Sequence, residues 1–333
     1  MFRLKQIFSG RITRLLLLGL FSVIAVACRP QATAVLPTQI PTLTPVPKST
    51  PLPALPTIVP VGKTDNPLHL VVHADTKPDS DKIVSDLEAA ITKKTELVVK
   101  IDMVDSDAAA LAALCSANQP SIALVSGLGF IAANAKKCGQ AQLLVSRGTG
   151  TNASTGQIAT LIARRGIDAL SAVKGRIFCR ISNTDLVSWI IPSLMMRAAG
   201  IDPVNAPKTI KEYAEAADLV SAVSSSACDI AAIPDSLVSK LVTDDKAVSA
   251  KVTTLSSSVE FPYAVLVASS DIPLSALTAL NNELISLSKD RQLKANLTQL
   301  FGQSSLVVAK ADDLQPLLDF ATSTKQDFVR LGS

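Results

Sequence analysis

The chain has 333 residues and a formal charge of +4, with 48% hydrophobic but only 4% aromatic side chains, so its core has to be built from small aliphatics. Arg3, Lys5, Arg11 and Arg14 account for the whole charge excess; the rest is neutral, which argues against a nucleic-acid partner and leaves no basic stretch after Cys28 to act on membrane lipid. The chain has five Cys and two His, with no CxxC pair, which argues against a zinc site of the usual spacing.

In chain order, the first element is an export signal. A basic head without acids precedes the apolar run 15–27, which stops at Cys28. The residues Ile24-Ala25-Val26-Ala27-Cys28 resemble a lipoprotein box, in which Cys28 is lipidated and becomes the new N-terminus. The alternative is an ordinary membrane anchor, but the run falls short of the about 20 residues that a span needs. Residues 28–66 read as a linker, with prolines at 30, 37, 41, 45, 47, 51, 53, 56 and 60. Proline fixes φ and lacks an amide donor, which favours extended polyproline II. At about 3.1 Å per residue, such a tether reaches up to roughly 100 Å.

From residue 67 onward, strands and helices alternate. Strands are predicted over 68–73, 97–104, 121–125 and 142–146. Between them lie helices over 81–94, with apolar residues at 83, 84, 87, 90 and 91, over 107–115 with Ser106 as N-cap, and over 128–137. A strand over 157–163 leads to a second series. This has strands over 176–181, 229–233, 251–255 and 263–268. Its helices run over 186–198, stopped by Gly200 and Pro203, over 210–222 with the capping box Thr209-Ile-Lys-Glu212, and over 234–242. Three helices close the chain, over 273–288 after Pro273, over 290–300, and over 312–330 with a break near Pro316. The pattern predicts an α/β protein of two lobes. Each lobe is a mostly parallel sheet flanked by helices, and ligands bind at the carboxyl ends of the strands. Four cysteines after Cys28 in an exported chain predict disulfides. Three pairings are open, and free buried thiols are the alternative. Cys115–Cys138 with Cys179–Cys228 is favoured because it keeps each bridge within one lobe.

Five strings appear in a fixed order: Ser121-Ile-Ala-Leu-Val-Ser-Gly127, Leu170-Ser-Ala-Val-Lys-Gly-Arg176, Pro192-Ser-Leu-Met-Met-Arg-Ala-Ala-Gly-Ile-Asp-Pro203, Cys228-Asp-Ile-Ala-Ala-Ile233 and Ala268-Ser-Ser-Asp-Ile-Pro273. In this they resemble the phosphonate/phosphate-type substrate-binding proteins of ABC transporters, of the type II periplasmic-binding fold. The resemblance implies lobe 1 over 67–157 plus 263–333 and lobe 2 over 158–262, joined by two crossing strands. It also implies a membrane-anchored, extracytoplasmic protein that closes on a small polar solute and hands it to an ABC permease. No cofactor is implied. The family holds an anion on a Ser-Thr-Ser-Gly turn at a helix N-terminus, where free amides and the helix dipole favour negative charge. Aligned on Trp189 and Pro192, this chain has Asp185-Leu186-Val187-Ser188 there, and only Ser188 keeps a hydroxyl. Asp185 would repel a phosphonate, so the anion-binding residues do not carry over.

The candidate ligand-binding residues each have a structural alternative. Asp75 and Thr76 follow the first strand, as cleft lining or as solvated loop; His73 at its end reads as structural. Ser126, Gly127 and Leu128 form either a ligand-contacting turn or a plain one. Ser154, Thr155 and Gln157 precede the first crossing strand, and Tyr263 lies at the second. Thr184, Asp185 and Ser188 form the altered turn, with an N-cap role as the alternative for Asp185. Arg180 faces either a ligand acid or Asp185, and Trp189 either stacks on a ring or packs on the sheet. Met195 and Met196 read as core. No Ser/His/Asp set, nucleophile elbow, P-loop or dinucleotide fingerprint occurs, which argues against an enzyme. Alternative functions are a ligand-sensing or scaffolding receptor-like protein without a transport role, and a cysteine-dependent enzyme on the same fold.

Overall fold

The computed structural model describes residues 59–73, 81–116, 119–302 and 305–330. The export signal, Cys28 and most of the linker lie outside them, as do Asp75 and Thr76. The described residues all fall within one compact unit. Ordered structure starts ahead of residue 67, inside the predicted linker: Lys63 and Asn66 form a β-bridge, and the Gly62 carbonyl accepts from Val98 N–H at 2.8 Å.

The first series runs β1 (Leu68–His73), α1 (Asp81–Thr95), β2 (Val99–Val104), α2 (Asp107–Leu114), β3 (Ser121–Val125), α3 (Gly127–Lys136) and β4 (Gln140–Ser146). Ser106 caps α2 as predicted, accepting from Ala109 N–H. The chain then crosses through β5 (Gly156–Gln157) into β6 (Ala159–Arg164) and β7 (Ile177–Arg180). It continues with α4 (Ile191–Ala198), β8 (Thr209–Glu212), α5 (Ala216–Ser224), β9 (Ile230–Pro234), α6 (Asp235–Val238), α7 (Lys246–Ser249) and β10 (Val252–Ser257). The second crossing is β11 (Phe261–Pro262), followed by β12 (Val265–Ala268), α8 (Leu274–Leu287), α9 (Lys294–Phe301), β13 (Ser305–Val308) and α10 (Ala311–Ser323).

The strands form two lobes. One sheet has the order β13-β4-β12-β3-β1-β2, the other β10-β6-β9-β7-β8, and the crossing strands pair only with each other, as β11-β5. Most strands of each sheet share one direction, four of six in the first and four of five in the second, and β12, β13 and β6 run against them. β1 runs parallel to β2 and β3, but β12, β4 and β13 pair antiparallel. Likewise β7 runs parallel to β8 and β9, while β6 and β10 are antiparallel. Each crossing delivers a strand into the next sheet from the opposite end, so it reverses the local direction.

Three clusters make the core. One packs α1, α8 and α9 on the first sheet, and one packs α5 on the second. The largest joins both lobes through α2, α3, α4 and α10. Phe178 and Phe261 are fully buried in it, and burying each contributes about 2–3 kcal/mol. Two disulfides, Cys115–Cys138 and Cys179–Cys228, each staple a single lobe.

Several local expectations are corrected. The capping-box sequence Thr209–Glu212 is strand β8, paired in register with Ile177–Arg180; pairing with β7 outweighs the local cap signal, and α5 starts only at Ala216. The predicted 186–198 helix opens with a π turn, Leu186–Ile190, before α4. Pro192, in the first turn of α4, has no N–H to continue an α ladder backwards. A second π turn, Ser239–Thr243, replaces the end of the predicted 234–242 helix. Asp290 accepts from Gln292 and Leu293 N–H, holding a turn that delays α9 to Lys294. Pro316 lies inside α10 without ending it, because Leu314, Leu317 and Ala321 anchor the helix in the core. Strand β13 was not expected from the sequence; its four residues are too short for a periodic signal.

Candidate functional site

Two adjoining recesses open where strand ends meet the crossing strands. The first, about 320 Å³, is lined by Arg147, Asn152, Ser154, Gln157, Asp235, Glu260 and Tyr263 among others. The second, about 570 Å³, includes His73, Asp107, Ser126, Thr298 and Gln299. Arg147 and Tyr263 line both, so the two form one groove divided by this pair.

Arg147 directly follows the carboxyl end of β4. Its backbone exchanges hydrogen bonds with Ser154, N–H to O at 2.8 Å and O to N–H at 2.9 Å, which closes the 148–153 loop. Gly148 sits at φ +80° in that loop, a conformation that suits glycine. The Arg147 guanidinium lies 4.1 Å above the Tyr263 ring, and Tyr263 N–H donates to the Thr155 carbonyl at 3.0 Å. Ring and guanidinium are thereby held at the crossing. Among the described residues, no carboxylate pairs with Arg147.

Two carboxylates face the same recess. Asp235 follows the carboxyl end of β9, and its Oδ1 accepts from the buried Thr160 hydroxyl at 2.6 Å. Glu260 Oε1 accepts from Thr155 Oγ1 at 2.8 Å. Each keeps its second oxygen clear of any hydrogen bond among the described residues.

Of the residues expected from the sequence, Ser126, Ser154, Gln157 and Tyr263 line the groove, as does His73, which reads as structural from the sequence. Thr155 stands behind it, bonded to Glu260. Gly127 is buried against the second crossing strand, where an added Cβ would lie 3.1 Å from the Pro262 carbonyl oxygen. Ser126 caps α3 by accepting from Gly129 N–H. Its own N–H and hydroxyl donate to Asp107 at 2.9 and 2.7 Å.

The altered turn forms a separate, self-satisfied network whose residues line neither recess. Asp185 Oδ1 accepts from Ser188 N–H at 2.6 Å, and the buried Ser188 Oγ accepts from Ile181 N–H at 2.9 Å. Thr184 pairs with Ser182. Trp189 packs edge-on against Phe178 with centroids 5.6 Å apart. Arg180 caps its ring at 4.5 Å and pairs with Glu212 at 2.9 Å. Met195 and Met196 are core residues, as expected.

Arg147, Asn152, Asp107, Asp235 and Glu260 escaped the sequence reading. Arg147 and Asp235 follow the carboxyl ends of two strands, the positional rule that singled out Ser126. Among the described residues, no group of three His, Cys, Asp or Glu is placed to hold a metal, and no helix is long and apolar enough to cross a membrane.

Comparison with known proteins places this architecture. A Xanthomonas citri protein solved with chloride bound matches at a TM-score of 0.52 and 11% identity, over 78% of this chain and 97% of its own. A binding-protein component of an ABC phosphonate transporter from Pseudomonas aeruginosa matches at 0.46 and 16%, over 78% and 87%. A Prochlorococcus marinus protein in complex with methylphosphonate matches at 0.42 and 14%, over 78% and 98%. No curated protein matches this chain. The family model described as "ABC transporter, phosphonate, periplasmic substrate-binding protein" matches residues 70–314. Members of that family bind small solutes and deliver them to an ABC permease; they are not enzymes. The chain therefore belongs to the phosphonate-type periplasmic substrate-binding proteins of ABC transporters.

Proposed function

We propose that this protein is an exported lipoprotein that captures a small polar solute for an ABC importer, tethered through Cys28 and the proline-rich linker. The observation that carries the reading is the groove at the crossing strands. There, polar side chains from the ends of β4 and β9 and from both crossings converge around Arg147, which has no ion pair among the described residues. Closure of lobe 2, residues 158–262, on lobe 1 would enclose a solute in that groove, a population shift driven by contacts to both lobes.

The ligand differs from the family's usual one at the second-lobe turn. Asp185 acts there as an N-cap and offers no place for a phosphonate, which is supported by its bond to Ser188 N–H.

A thermal-shift screen of a metabolite library tests the function. A solute present at about 100 times its Kd stabilises by about 2.7 kcal/mol, which raises Tm by roughly 5 °C. A library of polar solutes that leaves Tm unmoved refutes solute capture. Labelled palmitate that enters the wild-type chain but not Cys28→Ser tests the anchor; equal labelling of the two refutes it.

A further inference from the structure

We infer that the groove takes a compact amino carboxylate, a zwitterion without net negative charge, with its acid on Arg147 and its amine at Asp235 and Glu260. The inference rests on the solute-binding reading and specifies its ligand.

Three observations lead to it. First, two helix-start turns that could receive an oxyanion are already filled by the chain's own carboxylates. At the start of α3, Asp107 accepts from the Ser126 amide and hydroxyl. At the turn before α4, Asp185 accepts from the Ser188 amide. Each fixed carboxylate satisfies donors there and repels a second anion.

Second, the recess that remains carries mixed charge. Arg147 brings one positive charge, and Asp235 and Glu260 bring two negative ones. A dianionic phosphonate would place two more negative charges beside two carboxylates and a single guanidinium. A carboxylate matches one guanidinium fork through two parallel hydrogen bonds, and an ammonium supplies the charge that the two acids lack.

Third, the acids are positioned to accept from an ammonium. Each is fixed through one oxygen by a threonine hydroxyl, Thr160 for Asp235 and Thr155 for Glu260, and keeps the other available. The recess of the groove that holds Arg147, Asp235 and Glu260, about 320 Å³, lies at the small end of ligand sites and suits a solute of few heavy atoms.

Isothermal titration of the folded chain tests this, backed by the metabolite thermal-shift screen. The probes are β-alanine, 4-aminobutyrate and 5-aminovalerate. Butyrate and butylamine serve as single-charge controls, and methylphosphonate and 2-aminoethylphosphonate as phosphonate controls. At least one amino carboxylate should bind ten times or more tightly than every control. Arg147→Gln should weaken that binding at least tenfold, and Arg147→Lys should restore part of it. Asp235→Asn with Glu260→Gln keeps both threonine bonds and should also cost at least tenfold. Asp185→Asn, outside the groove, should leave the affinity within twofold.

Tight phosphonate binding without amino carboxylate binding overturns the inference and leaves solute capture standing. So does a screen hit that is purely anionic or uncharged. Amino carboxylate binding that is indifferent to Arg147→Gln, with an unchanged Tm for the variant, overturns the site assignment. If neither the probes nor the library bind, the inference and the proposed function fall together.

Discussion

Gly156→Ala probes the place where the lobes are joined. Gly156 is buried in the first crossing strand, opposite Pro262 of the second. A Cβ there would overlap the Phe261 carbonyl oxygen and lie 2.7 Å from its carbon, with Glu260 Cγ at 2.8 Å. The strands cannot easily separate, because Phe261 is fully buried and packs edge-on against Phe320 at 5.8 Å. Overpacking against fixed backbone places the cost near the upper end of the usual range, about 3 kcal/mol. For a unit of this size that lowers Tm by about 6 °C. Gly166→Ala is the control, since Gly166 has φ +91° and nothing within 4 Å of an added Cβ. Strain alone should cost it about 1 kcal/mol, or about 2 °C. Scanning calorimetry of the two variants beside the wild type decides. A Gly156→Ala transition within 1 °C of wild type would mean that the crossing strands do not approach as closely as described.

Replacing both Cys179 and Cys228 by alanine opens a loop closed across 49 positions. This should destabilise by about 4 kcal/mol through unfolded-chain entropy; calorimetry that gives the variant the wild-type Tm refutes the bridge. Asp202 is held below the usual carboxylate range by the Asn205 side chain and then by the Val204 and Asn205 N–H groups. Asp290 is held below it by Leu293 and Gln292 N–H. Both pKa values are depressed on folding, so the stability they add is present above the ordinary carboxylate pKa and is lost as pH falls through the lowered folded value. Carboxyl-carbon NMR should show both titrating below exposed aspartates, and ordinary midpoints would contradict the two turns. Trp189 is only 9% exposed, so Arg180→Ala, which removes its cap, should shift its emission to longer wavelength; an unmoved spectrum means the guanidinium does not cover the ring.

The alternating fold was legible in the sequence because fully buried strands leave short unbroken apolar runs. β1 and β3 fall on their predicted spans, and Ser106, an N-cap read from its residue type, caps α2 as expected. The errors had two sources: a distant partner overruled a local signal where the capping box at Thr209–Glu212 became a strand beside β7, and a local one acted where the 186–198 helix took a π turn ahead of Pro192, which lacks an N–H. The site was partly legible. The strand-end rule named Ser126 and the crossings named Ser154 and Tyr263; the same rule covers Arg147 and Asp235, which follow β4 and β9, while His73 at its strand end reads as structural from the sequence.

The sequence by itself pointed to the α/β class and the family, since these depend on periodicity, residue type and short strings in order, and it left the cysteine pairing open with one arrangement favoured. Tertiary structure alone decided the mixed strand directions, the self-capping of Asp185 and Asp107, and the meeting of Arg147 with Asp235 and Glu260. Those outcomes follow from distances between residues far apart in the chain, and distance in space is not a function of distance in sequence.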